Sequence, residues 1–162
     1  MTVNELLSKG VQVLLGEEAA EIRRRFVSEY VDVDSQYFKE HIATLKRYSD
    51  GEFYFGYLWD VIPNYTRISE EQAASVARGF GSSYSLWDLH SADNIWLPNY
   101  WKFPRDAVLK GTAIEIFHAR PILPEDLYII REDFDICLVL THEEQPYGVP
   151  ITLEATPRKQ EA

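Results

Sequence analysis

The last third of the chain constrains the fold most. From Thr112 onward, short apolar runs follow one another, TAIEIFHA, LYIIRE, DICLVLTHE and PITLEA, each bounded by turn residues. Runs of this length, rich in Ile, Leu, Val and Tyr and separated by such short connections, predict antiparallel strands. Glu132 to Phe134 is short enough for a hairpin, and EEQPYGVP carries the Pro and Gly of a second. The alternation within these runs predicts one covered and one wetter sheet face.

Upstream, the spacing changes to that of helices. Thr2 followed by Glu5 is a capping-box pattern, and Leu6, Leu7, Val11, Leu14 and Leu15 predict one helix ending at Gly16. Glu17 and Glu18 open a second, with Ile22, Phe26, Val27 and Tyr30 as its apolar stripe. The run Arg23, Arg24, Arg25 falls mostly on the opposite face, among glutamates, and is expected to be solvated and ion-paired. Phe38, Ile42, Leu45 and Tyr48 predict a third helix, and strict alternation of Phe53, Phe55, Tyr57, Trp59 and Val61 predicts a strand. Ser69 with Gln72 is a second capping box, opening a helix that Gly79 and Gly81 stop. Tyr84 to Leu89 is expected to be a strand, and Pro104 to open a short helix ending at Gly111.

The expected fold is therefore α+β: N-terminal helices, then an antiparallel sheet of about five or six strands with helices packed on one face. Residues 1–156 are expected to form one α+β domain, with 157–162 a frayed tail. Regular βαβ alternation, the mark of a doubly wound parallel sheet, does not occur.

Charge narrows the function classes. With 26 acidic against 16 basic residues the formal charge is −10. Phosphate backbones are bound by net basic faces, so a nucleic-acid partner is not expected, whereas a basic protein partner is. The single cysteine, Cys137, sits in an apolar run and fits a reducing compartment. No stretch approaches the ~20 apolar residues of a membrane span, so a cytoplasmic protein with no membrane partner is expected. The sequence specifies no oligomeric state.

Residues 83–104 hold three of the four tryptophans, Trp87, Trp96 and Trp101, together with Asp88 and His90. Asp88 and His90 are two apart on an expected strand, so their side chains leave one face. Together with His118 and His142 they have the chemistry of an acid/base or metal site if three strand ends converge. The histidines lack any metal-binding spacing, and no metal site or cofactor is assigned. Serine-elbow, S-x-x-K and P-loop motifs are also missing. The other candidate is a recognition surface. Trp96, Tyr100, Trp101 and Tyr147 fall in loop-like segments, Glu143 and Glu144 follow a strand, and Trp and Tyr dominate binding hot spots.

Three pieces, FYFGYLWDVI, YSLWDLHSADNIWLPNYWKFP and DFDICLVLTHEE, resemble small acidic bacterial α+β proteins of unassigned function, several of them immunity partners of polymorphic toxins. The resemblance implies a non-enzymatic inhibitor that binds a toxin domain. It assigns no binding residue.

Overall fold

A computed structural model describes residues 1–42, 57–89, 99, 102–145 and 148–158. Seven antiparallel strands form one sheet: β1 (Gln12–Leu14), β2 (Tyr65–Ile68), β3 (Ser82–Trp87), β4 (Val108–Thr112), β5 (Leu127–Arg131), β6 (Cys137–Gln145) and β7 (Val149–Ala155). Their spatial order is β1-β4-β3-β5-β6-β7-β2. Four α-helices are described, α1 (Val3–Ser8), α2 (Gly16–Tyr30), α3 (Glu70–Phe80) and α4 (Ala113–His118), with short helical turns at Phe38–Ile42, Leu58–Val61 and Arg120–Ile122. The α+β class is as expected, with more strands than the sequence suggests.

Helices cover both faces of the sheet, not one. Phe26, Val27 and Tyr30 of α2 pack with Leu86, Tyr128, Ile130, Cys137 and Val139 on one side. Leu6 of α1, Ala77 and Phe80 of α3, and Ile116 and Phe117 of α4 pack with Trp87, Ile129 and Leu138 on the other. The central strands carry the reason in their composition. Leu127 to Ile130 is an unbroken apolar run whose residues alternate between the two cores, as a strand buried on both sides requires.

Both capping boxes form, at Thr2 with Glu5 and at Ser69 with Gln72. The first expected helix is nevertheless split. Gly10, at φ 86°, turns the chain after α1, and Gln12 to Leu14 pair with β4 as an edge strand. In α2, Arg24 and Arg25 pair with Glu17 and Glu29 at the surface, as expected. Arg23 departs from that expectation. It is buried, and its guanidinium donates to the carbonyls of Trp87 (2.8 Å) and Ala107 (3.0 Å), holding the end of β3 beside the start of β4.

Two neighbouring assignments are exchanged. The expected helix after Pro104 is strand β4, and the expected strand TAIEIFHA is helix α4. Alternating Ile114 and Ile116 imitate a strand, but Ala113, Ile116 and Phe117 occupy i, i+3 and i+4, and it is these that are buried. Gly111 sits tightly against Val11, the residue before β1: a Cβ there would lie 2.8 Å from Cγ2 of Val11. Tyr57 belongs to no strand and Leu58–Val61 forms a 3₁₀ turn, where the expected strand would run through Val61; residues 43–56, on which the rest of that expectation and the end of the expected third helix fall, lie outside the described residues. β2 is a strand the sequence pattern does not reveal.

The segment after β7 is held. Arg158 donates its backbone N–H to Glu29 (2.7 Å) and its side chain to the Val31 carbonyl (2.8 Å). Pro157 and Arg158 therefore differ from the frayed tail expected there, and 159–162 lie outside the described residues.

Candidate functional site

Two buried carboxylates organise the end of the sheet beneath the Leu58–Val61 turn. Asp88 follows β3 and is 1% exposed; it accepts from the backbone N–H of Leu58 (3.1 Å) and from the Tyr128 hydroxyl (2.9 Å). That hydroxyl in turn accepts from the N–H of Trp59 (2.9 Å). Side chains thus take up the N–H groups of Leu58 and Trp59, which is why the segment turns here rather than joining the sheet.

Asp126, also 1% exposed, precedes β5 with φ 58°, a left-handed conformation that Asp tolerates better than most side chains. Its Oδ1 accepts from Trp59 Nε1 (3.0 Å) and from the backbone N–H of His142 (3.0 Å). Nδ1 of His142 lies 2.9 Å from both carboxylate oxygens. A carboxylate only accepts, so Nδ1 carries the proton and Nε2 is the basic nitrogen of the neutral ring. The Tyr57 ring lies 4.8 Å from the imidazole and 5.6 Å from the Trp59 ring.

A bulge in β6 brings His142 to this face. The register with β7 shifts between Leu140 and Glu144. The consecutive residues Leu140 and Thr141 both line a cleft with Arg120 and Pro124, so His142 meets Tyr57 and Trp59 instead.

Burial is the main electrostatic influence. It raises the Asp88 carboxyl well above its ordinary range, and the charge of Asp126 adds to this, against the opposing bonds from Leu58 and Tyr128. Burial likewise raises the Tyr128 hydroxyl, with help from Asp88 and Asp126. Tyr57 is raised for the same first reason.

Next to this network is an exposed acidic and aromatic face. Tyr37 and Tyr65 are two of the large apolar side chains left in solvent, at 48% and 50% exposure. The Tyr37 hydroxyl donates to Asp60 (3.4 Å). Tyr65 shares with Trp59, Asp60, Arg67 and Glu143 a cleft of about 250 Å³ that Ile151 and Leu153 also line. The Asp60 carboxyl is raised by partial burial and by the charges of Glu143 and Asp126, although the Tyr37 bond opposes this.

Of the acid/base candidates, the structure links Asp88 and His142 through Tyr128, Trp59 and Asp126. It does not bring His118 to them. That residue is exposed on α4, whose core residues belong to the opposite face of the sheet. His90 lies outside the described residues, as do Trp96, Tyr100, Trp101 and Tyr147. Among the described residues no three His, Cys, Asp or Glu side chains are placed to share a metal ion, and no helix is long and apolar enough to cross a membrane. Glu143 and Glu144 are exposed, and Glu143 lines the cleft. Asp126 and Tyr128, central here, were hidden in sequence because Glu125-Asp126 has the appearance of an acidic loop and Tyr128 that of a core residue. Comparison with family models, curated proteins and solved structures finds no match.

Proposed function

We propose that this chain is a protein-binding domain for a basic partner, of the immunity type that neutralises a toxin enzyme, and that its contact face centres on Asp60. One observation carries the reading: two exposed tyrosines, Tyr37 and Tyr65, converge on Asp60 beside Glu143. Exposed rings with acidic neighbours are the composition of a hot spot for a cationic surface, and the overall charge of −10 favours encounter with one. The rigid network below supports it, because Trp59 is fixed at its backbone and at its indole nitrogen, so little side-chain freedom is lost on association.

The test is calorimetric titration with the product of the neighbouring gene, which this reading expects to be a basic protein, at low and high salt. Tight binding that weakens with salt and falls about tenfold or more in Tyr65→Ala or Asp60→Asn supports the reading. No binding to that protein overturns it.

A second reading, a small acid/base enzyme, is favoured by the Asp126–His142 pair, which has the geometry of a carboxylate orienting a general base. Its measurement is a panel of ester, amide and phosphodiester hydrolyses, in which turnover lost in His142→Ala supports it.

A further inference from the structure

We infer, building on the binding reading above, that the partner docks by strand addition: an extended segment pairs along β2 and places a lysine or arginine side chain between Asp60 and Glu143. β2 ends the sheet order. It pairs with β7 on one side, and among the described residues no strand lies along the other. Tyr65, Thr66 and Arg67 are all exposed. An edge of this kind offers unpaired N–H and C=O groups, the template that peptide strands use when they extend a sheet. At the opposite edge, β1 is only three residues long and its Leu14 is buried.

The surroundings of β2 give the added strand a sequence pattern. A cleft lies on each side: the one of about 250 Å³ with Asp60, Arg67 and Glu143, and one of about 640 Å³ with Asn64, Thr66, Glu154 and Arg158. Side chains of an extended segment alternate between faces, so successive residues enter different clefts. In the first cleft two carboxylates face one guanidinium, and Arg67 forms no ion pair with a described residue, which leaves Asp60 and Glu143 for an incoming cation. Tyr65 and Trp59 add ring faces that attract it further. The second cleft sets Glu154 against Arg158, which also pairs with Asp32, and its other lining residues, among them Asn64, Thr66 and Thr156, carry no charge. The matching segment therefore alternates cationic with small polar residues.

The experiment titrates the peptide acetyl-Thr-Arg-Thr-Arg-Thr-amide into isotopically labelled protein and follows backbone amide signals. Saturable shifts concentrated on residues 65–68, an affinity about tenfold lower in the Asp60→Asn, Glu143→Gln double variant, and loss of binding when alternate peptide nitrogens are methylated are the results expected. Shifts elsewhere, undiminished binding of the methylated peptide or of its Glu-for-Arg counterpart, or no binding at all overturn strand addition. Titrating the double variant with the whole basic partner separates the two proposals. Undiminished partner binding there overturns this docking mode and the placement of the contact face at Asp60 but leaves binding of a basic partner standing, whereas a wild-type chain that ignores the partner overturns both proposals.

Discussion

His142 donates from Nδ1 to the buried carboxylate of Asp126, 2.9 Å from each oxygen, and the same carboxylate holds the indole nitrogen of Trp59. One side chain, at 1% exposure, thereby ties the bulged part of β6 to the turn at Leu58–Val61. The exposed face around Asp60 rests on that tie, since Asp60 is the next residue after Trp59 in the same turn.

Asp126→Ala leaves Trp59 Nε1, the N–H of His142 and its ring without their acceptor. Loss of a buried acceptor serving several donors costs about 2–4 kcal/mol. Urea denaturation of the variant is expected to show that loss, and His142→Ala a smaller one, because the His142 side chain is one-third exposed and Trp59 keeps its bond.

The same tie shows how far the sequence was legible. Strands β3, β5, β6 and β7 announce themselves, since each has a run of apolar or β-forming residues between turn signals. β4 and α4 do not, because Ala113-Ile-Glu-Ile-Phe fits periods of 2 and 3.6 equally well until burial chooses between them. Both-face burial was concealed because the expectation of one wet face treats all four C-terminal runs as alternating, whereas Leu127 to Ile130 is continuous. For the site, Asp88 and His142 stood out by residue type. Their connectors did not, because Asp126 depends on a left-handed backbone and His142 on a bulge, and neither leaves a trace in spacing.

Arg23 and Arg24 are adjacent in sequence and opposite in consequence. Arg23 fills two carbonyls in the interior, whereas Arg24 pairs with Glu17 in solvent. Arg23→Ala is expected to destabilise by about 3 kcal/mol, through two unpaired carbonyls and a void between α2 and the sheet. Arg24→Ala stays within about 0.5 kcal/mol. Parallel denaturation curves of the two variants check the contrast.

Gly111 lies where β4 meets β1, and a methyl group there would come 2.8 Å from Val11 Cγ2. Gly111→Ala is expected to cost about 1–3 kcal/mol by forcing the edge strand outward. Removing the obstacle with Val11→Ala in the same chain should recover part of that loss. A double-mutant cycle measures the coupling, and strict additivity would show that the contact is not the cause.

Asp88 sets a pH dependence whose sign is opposite to the usual one for a carboxylate. Its folded pKa is raised well above the ordinary 3.8, first by burial and then by Asp126. In the window above 3.8 the native state therefore binds a proton that the unfolded chain has released, and stability falls as pH rises. The contribution is full below the unfolded value and is lost as pH climbs through the folded one. Asp88→Asn removes the titration while keeping an oxygen to accept from Leu58 N–H. Denaturation across a pH series is expected to show a wild-type stability that declines from mildly acid conditions upward relative to the variant. A difference between the two proteins that stays constant over that range would mean that Asp88 does not titrate there.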